Sequence, residues 1–204
     1  MASLTVALAT RNPGKVREFQ RLLGEGFAVV PLDPAVDLPE ETGATFAANA
    51  LLKARAAFAA LGGTTAVLAD DSGLEVEALA GRPGVRSARY AGEGAGDEEN
   101  VARVLTELAT RGTGVGRGAR FVCALALVLP ADDGGPPTVV EAEGVLAGEL
   151  TTAPRGSEGF GYDPVFRPDG WHRTLAEVDG AEKDAVSHRA AAVAALRRQL
   201  GRRV

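Results

Sequence analysis

Five clusters in this chain combine residue types that can do chemistry together. The first is Thr10-Arg11-Asn12-Pro13-Gly14-Lys15, which follows an apolar run and precedes a helix-like one. A loop leaving a strand and entering a helix offers backbone amides and the positive end of a helix dipole to a phosphate. Lys15 adds a mobile positive charge. The pattern departs from the phosphate loop GxxxxGK[ST], because its first Gly is absent and Val16 stands where Ser or Thr belongs. An ordinary strand-to-helix turn with a surface lysine has the same residues.

The second cluster, Asp70-Asp71-Ser72-Gly73, closes a run that reads as a buried strand. Adjacent carboxylates repel, and a hard divalent cation with oxygen ligands gives them a reason. Side chains alternate along a strand, so only one of the two faces a given site, and spacing does not choose which. A solvated acidic turn or helix cap is the plain alternative. The third, Glu40-Glu41, sits in a proline-rich acidic loop and could complete a metal site from elsewhere in the chain, or simply be solvated. The fourth, Gly159-Phe160-Gly161-Tyr162-Asp163-Pro164, suits stacking on a flat base, with Asp163 offering hydrogen bonds. The same residues also make a hairpin turn with core aromatics, and both hold if one ring stacks while the other packs inward. The fifth is Lys183 with Ser187-His188-Arg189. Cations in the first turn of a helix oppose its dipole, which makes sense facing an anion or an electron-rich base edge; the alternative is a generic surface turn.

The elements that must position these clusters read as α/β. Residues 3–9 form a buried strand, and a helix follows with Val16, Phe19, Leu22 and Leu23 on one face. Gly24 and Gly26 end it, and Phe27–Pro31 is a second strand. The acidic loop 32–43 leads to Thr45, an N-cap for a helix over 46–61. Asn49 and Lys53 lie together at the border of its apolar stripe. A strand over 65–69 leads into the paired aspartates. Asp97 caps a helix reaching Thr110, whose core face is Val101, Val104, Leu105 and Leu108. Segments 120–129 and 138–146 flank the turn 132–137 and read as an antiparallel hairpin. The last helix starts after Ser187. The expected whole is a mixed sheet flanked by helices, one domain over 1–204.

Composition narrows the partners. The net charge of −5 argues against a general polyanion binder, while leaving room for one small phosphorylated ligand in a locally basic cleft. The single Cys123 excludes an internal disulfide and any multi-cysteine zinc site, which fits a reducing, cytoplasmic setting. No nucleophile-His-acid triad is apparent. No apolar run approaches a membrane span. Of 22 basic residues only Lys15, Lys53 and Lys183 are lysines. Lys15 lies in the first cluster and Lys183 in the fifth, while Lys53 lies on the helix over 46–61, so each is worth weighing in a chain that otherwise uses Arg.

Taken together, five stretches resemble the inosine/xanthosine triphosphate pyrophosphatase family: ATRNPGKVREF (9–19), LPEETGATFAANALLKA (38–54), ADDSGLEVEALAGRPGVRSARYAG (69–92), RGSEGFGYDPVF (155–166) and AEKDAVSHRAAA (181–192). The resemblance implies an elongated mixed β-sheet flanked by helices, with two lobes around a central active-site cleft, in a cytoplasmic homodimer. It implies Mg2+-dependent hydrolysis of ITP, dITP or XTP to the monophosphate and pyrophosphate, with no nucleic acid polymer or membrane as partner. By motif position, Thr10, Arg11, Asn12, Pro13, Gly14 and Lys15 would bind the triphosphate. Glu40 and Asp71 would serve the metal, with Asp71 also the general base. Ser72, Phe160, Gly161, Tyr162, Asp163, Lys183, His188 and Arg189 would contact substrate. Arg189 or backbone amides would recognise the 6-oxo group that separates hypoxanthine and xanthine from adenine. The chain departs from the family at Ala48, where many members have Glu, and at Ala190, where Gly is frequent. Two other readings share the fold: a nucleotide sensor without turnover, and a pyrophosphatase for modified pyrimidine nucleotides.

Overall fold

In a computed structural model, described for residues 3–24, 26–112, 114–131 and 134–201, the chain starts with strand β1 (Leu4–Leu8) and helix α1 (Pro13–Leu23). Phe19 and Leu23 of α1 are fully buried, Gly24 is the C-cap, and strand β2 (Phe27–Pro31) follows. Helix α2 (Phe46–Ala60) opens where its N-cap chemistry demands: the Thr45 hydroxyl accepts from the Ala48 amide at 3.1 Å. Ala50, Ala54 and Ala57 form its fully buried stripe. Small residues there let α2 lie close to its neighbours.

Strand β3 (Ala66–Val76) is longer than the apolar run predicts. Asp70, Asp71, Ser72 and Gly73 continue the strand, so the expected strand end at 69 is corrected. The polar residues stay extended because tertiary partners satisfy them, as described below. Helix α3 (Asp97–Thr110) buries Val101, Val104 and Leu108. Its N-cap is Gly96 rather than Asp97; the Glu99 carboxylate folds back to accept from the Gly96 amide at 2.7 Å. Strands β4 (Gly118–Leu129) and β5 (Thr138–Leu150) are neighbours in the sheet. Their short connection permits only an antiparallel pairing. Within the turn joining them, Asp132 and Asp133 lie outside the described residues. The short strand β6 (Phe166–Pro168), the one-turn helix α4 (Gly180–Asp184) and helix α5 (His188–Leu200) complete the chain.

The sheet order is β2-β1-β3-β4-β5-β6. β1 pairs parallel with both β2 and β3, and β5 pairs antiparallel with β6, so the sheet is mixed and the fold is α/β. Two compact units interleave along the chain. The first holds residues 1–71, 123–144 and 189–204, and the second 72–122 and 145–188. Each has its own core. Val6, Leu8, Phe19, Leu68, Leu125 and Leu196 belong to the first, and Leu74, Val104, Leu150, Val165, Phe166 and Leu175 to the second. Cys123 is buried in the first core, as an apolar strand residue should be.

Candidate active site

The phosphate-loop residues of the first unit are arranged by α1. Asn12 is its N-cap, and its side-chain oxygen accepts from the Gly14 amide at 2.8 Å and the Lys15 amide at 3.2 Å. The expectation of open helix amides is therefore corrected: two of them are held by Asn12, and a phosphate must compete with that oxygen. Thr10 Oγ1 in turn accepts from the Asn12 amide at 3.2 Å. The Arg11 guanidinium lies against the loop after β2. It donates to the carbonyls of Leu32, Asp33, Pro34 and Val36, tying the loop after β2 to the strand-helix turn. Pro13 is exposed, and Gly14 is buried against the fold.

Lys15 reaches Asp70 at 2.8 Å. Asp70 is fully buried, and burial by itself raises its pKa. Lys15 first, then Lys53 and Arg189, more than offset that cost and bring the value down from 3.8 to about 2. This carboxylate stays ionised and acts as an anchor for cations. Asp71, next along the strand, has a different environment. It accepts from Asn49 Nδ2 at 2.9 Å, and burial followed by the charge of Glu41 raises its pKa. Alternation along β3 thus separates two carboxylates by role: Asp70 toward lysine, Asp71 toward carboxylate and amide.

Glu40 is exposed, whereas Glu41 is half-buried. Lys53 donates to Glu41, and the Lys53 pKa is raised although burial opposes it, because Asp70, Glu41 and Asp71 all favour its charged form. The acidic partner that Asp71 feels is therefore Glu41. Two carboxylates held near one another by a neutral amide and a lysine form a donor set suited to Mg2+, which commonly takes one or two carboxylates and fills its octahedron with water and substrate phosphates. Among the described residues no group of three or more His, Cys, Asp or Glu is placed to share a metal.

Arg189 lies at the start of α5, in the first unit. It is 4% exposed, and its guanidinium donates to Glu18 at 2.8 Å, an ion pair buried inside the first unit. Sequence reasoning missed Glu18, because the partners are 171 residues apart. Its only sequence signal was a carboxylate one position from Phe19, on the core side of a helix. Asn49 was noticed on its helix face but given no role. Its full burial in a helix interior, where Asn is a poor former, is the signal that marks it.

In the second unit, the loop 159–163 is built from inside. Tyr162 is buried and its hydroxyl donates to the Ser87 carbonyl at 2.9 Å; burial raises its pKa. Asp163 is engaged within this unit through its Oδ2. Its carboxylate accepts from the Phe160 amide at 2.9 Å and from Lys183 Nζ at 2.6 Å, with both ion-pair partners almost wholly buried. Gly159 has φ +79°, and a Cβ there would overlap the Asp163 carboxylate, so this turn needs glycine. Asp97 accepts from the Gly161 amide at 2.6 Å. Phe160 is left half-buried, with Lys183 Nζ 4.8 Å from its ring centroid. One aromatic thus packs inward and the other is presented, as the dual reading of this loop anticipates. His188 is buried and stacks on Phe121 at 4.7 Å. Ser72 is half-buried on β3.

A strand carrying two carboxylates of unlike surroundings beside lysines, with a capped helix start next to it, defines the site of this α/β protein. A model of the Ham1 family matches residues 6–199, and the chain belongs to that family. It is similar to a dITP/XTP pyrophosphatase of Geobacillus kaustophilus, at 50% identity over 200 residues covering 95% of this chain and 93% of that protein. A HAM1 protein from Coxiella burnetii has a solved structure that superposes with a TM-score of 0.83 at 41% identity, covering 98% of this chain and 99% of that one. The structure of a nucleoside-triphosphatase / dITP/XTP pyrophosphatase from Mycobacterium abscessus gives 0.73 at 44% identity, covering 95% and 98%.

Proposed function

We propose that this chain is a hydrolase that converts non-standard purine nucleoside triphosphates, dITP, ITP and XTP, to the monophosphate and pyrophosphate. The observation that carries the chemistry is the unlike pair on β3: Asp70 bound to Lys15 at 2.8 Å, and Asp71 held by the Asn49 amide at 2.9 Å on the side of the acidic loop. The relatives named dITP/XTP pyrophosphatase support the substrate class.

In this reading Asp71 orients a water toward the α-phosphorus and takes its proton. The water oxygen bonds to phosphorus, the bridging oxygen departs with pyrophosphate, and the proton passes from Asp71 to solvent. A carboxylate that is ionised at neutral pH can accept that proton when the water is held within hydrogen-bond reach. Asp71 and Glu41, with Glu40 beside it, are the residues that would hold Mg2+, whose chemistry is neutralisation of the phosphate oxygens. Lys15 exchanges some of its attraction to Asp70 for the triphosphate, joined by Thr10 and the backbone amides of Arg11, Asn12, Gly14 and Lys15, with Pro13 shaping the turn. Phe160 offers its ring to the base. Tyr162, Asp163, Gly161 and Lys183 position that ring, while Ser72, His188 and Arg189 are the remaining substrate candidates. A homodimer in the cytoplasm belongs to the same proposal, with the dimer read by light scattering on the purified chain. Among the described residues no helix is long and apolar enough to cross a membrane.

Incubation with ITP and Mg2+ should release IMP and pyrophosphate, in preference to the same reaction with dUTP or the four common triphosphates. Orthophosphate release, or binding without turnover, would defeat the proposal. The two glutamates are separable in the same assay. Glu41→Gln should lower turnover by about 10–100-fold, the usual scale for disturbing a metal site, whereas Glu40→Gln should stay within about threefold of wild type. The reverse ranking would return the metal role to Glu40.

A further inference from the structure

Asn49 makes contacts that helix formation does not require. It is 0% exposed in the interior of α2, and both ends of its amide are spent outside that helix. Its oxygen accepts from the Gly43 amide at 2.7 Å, and its nitrogen donates to Asp71 Oδ2 at 2.9 Å. A neutral side chain with one accepting and one donating end is needed to join a backbone N–H to a carboxylate. Leu would join neither, and an ionised Asp could accept from Gly43 but not donate to Asp71.

The loop side is fitted to this contact. A Cβ on Gly43 would lie 2.6 Å from Asn49 Oδ1 and 3.1 Å from the Asn49 amide nitrogen, so the approach leaves no room for a larger residue. Four residues further along α2, on the same face, Lys53 donates to Glu41. The acidic loop is therefore held at two points by one rigid helix, through Gly43 and through Glu41. The helix start is itself fixed by Thr45, through its cap to Ala48 and its carbonyl bond with the Asn49 amide at 3.1 Å.

We propose that Asn49 is a positioning residue that staples the acidic loop to Asp71, setting the spacing of the two carboxylates before metal and nucleotide arrive. This rests on the pyrophosphatase reading above and deepens it. Asn49 touches neither substrate nor metal in this role. It makes the carboxylate pair a preformed donor set rather than one assembled at each turnover, which lowers the entropic cost of binding the cation.

The test uses the full chain with Asn49→Ala and, separately, Gly43→Ala, which breaks the same staple from the loop side and leaves Asn49 and Asp71 in place. Mn2+ binding to the nucleotide-free protein, read by paramagnetic relaxation of water protons, should weaken by about 10–100-fold in both variants. Amide exchange at position 43 should accelerate. The Mg2+ concentration for half-maximal ITP turnover should rise by a similar factor, with turnover at saturating Mg2+ reduced much less than in Asp71→Asn. Wild-type Mn2+ affinity in either folded variant, or unchanged exchange at position 43, overturns the staple. So does a wild-type chain that hydrolyses ITP but binds no Mn2+ before nucleotide. A wild-type chain that binds Mn2+ but never turns over ITP instead defeats the pyrophosphatase reading. If Asn49→Ala does not fold, Gly43→Ala alone decides.

Discussion

Asp71→Asn should reduce ITP turnover by about 10³-fold or more while leaving nucleotide binding detectable. The substitution changes little in shape. The new amide oxygen still accepts from Asn49 Nδ2, the bond that holds this side chain at 2.9 Å. What goes is the charge, and with it both the capacity to take a proton from water and half of the carboxylate pair. The loss should therefore appear in kcat, with a modest change in the apparent affinity for nucleotide, since an interaction used only in the transition state has been removed. Steady-state turnover and equilibrium binding of ITP to the same preparation check it. Turnover within about tenfold of wild type would remove Asp71 from the chemistry, because general-base loss alone is worth more than that. Asp70→Asn is the informative companion. It frees Lys15 of a buried counter-charge at 2.8 Å, so its effect should fall on stability and on nucleotide affinity rather than selectively on kcat.

The largest effect on stability is expected at the other end of the chain, at Asp163. Its carboxylate neutralises Lys183 at 2.6 Å where both side chains are almost fully buried, and it also orders the Phe160 amide. Removing one partner of such a pair costs about 3–5 kcal/mol, because the remaining charge keeps its desolvation penalty. Asp163→Ala should accordingly lower Tm by roughly 6–20 °C for a chain of this length. The double variant Asp163→Ala with Lys183→Met should recover a good part of the loss, since an apolar replacement of a buried pair is often close to neutral. Thermal unfolding of the three variants measures the cycle. A single-variant loss below about 2 °C, or simple additivity in the double, would show that the pair does not act as a unit.

Buried ion pairing also explains the sparse lysines. Lys15 meets Asp70, Lys53 meets Glu41, and Lys183 meets Asp163, each at a side chain that is buried or largely so. A lysine is a compact charge on a flexible stem, and it fits a narrow space where a planar guanidinium would need several acceptors. The arginines that are buried or clamped show that requirement. Arg11 is met by four backbone carbonyls, and Arg189 faces Glu18.

Much of this was readable before any coordinates. The helix over 46–60 follows from its alanine stripe and from Thr45, since caps and periodicity act within a few residues. Strand β2 and the end of α1 at Gly24 are equally local. The five family-like stretches pointed to the Ham1 family, and the inward packing of one aromatic in the Phe160 loop is seen at Tyr162. Contacts between distant segments were not readable. The strand read as ending at 69 because polar residues and a glycine from Asp70 to Gly73 break an apolar run. They remain in β3 because Lys15 and Asn49 satisfy the carboxylates from other elements. Arg11 looked like a ligand residue because no spacing rule announces carbonyls 21 to 25 residues away.

The sequence by itself determined the elements, the family and the identity of the charged residues, because propensity, capping and motif order are properties of short segments. Only the tertiary structure decided which charge serves which purpose. It set Asp70 to hold lysine, Asp71 to face Glu41, Asp163 to hold the Phe160 loop and Arg189 to pair with Glu18. A carboxylate's role depends on its burial and on the charges within a few ångströms, and those neighbours are brought together by packing rather than by chain order.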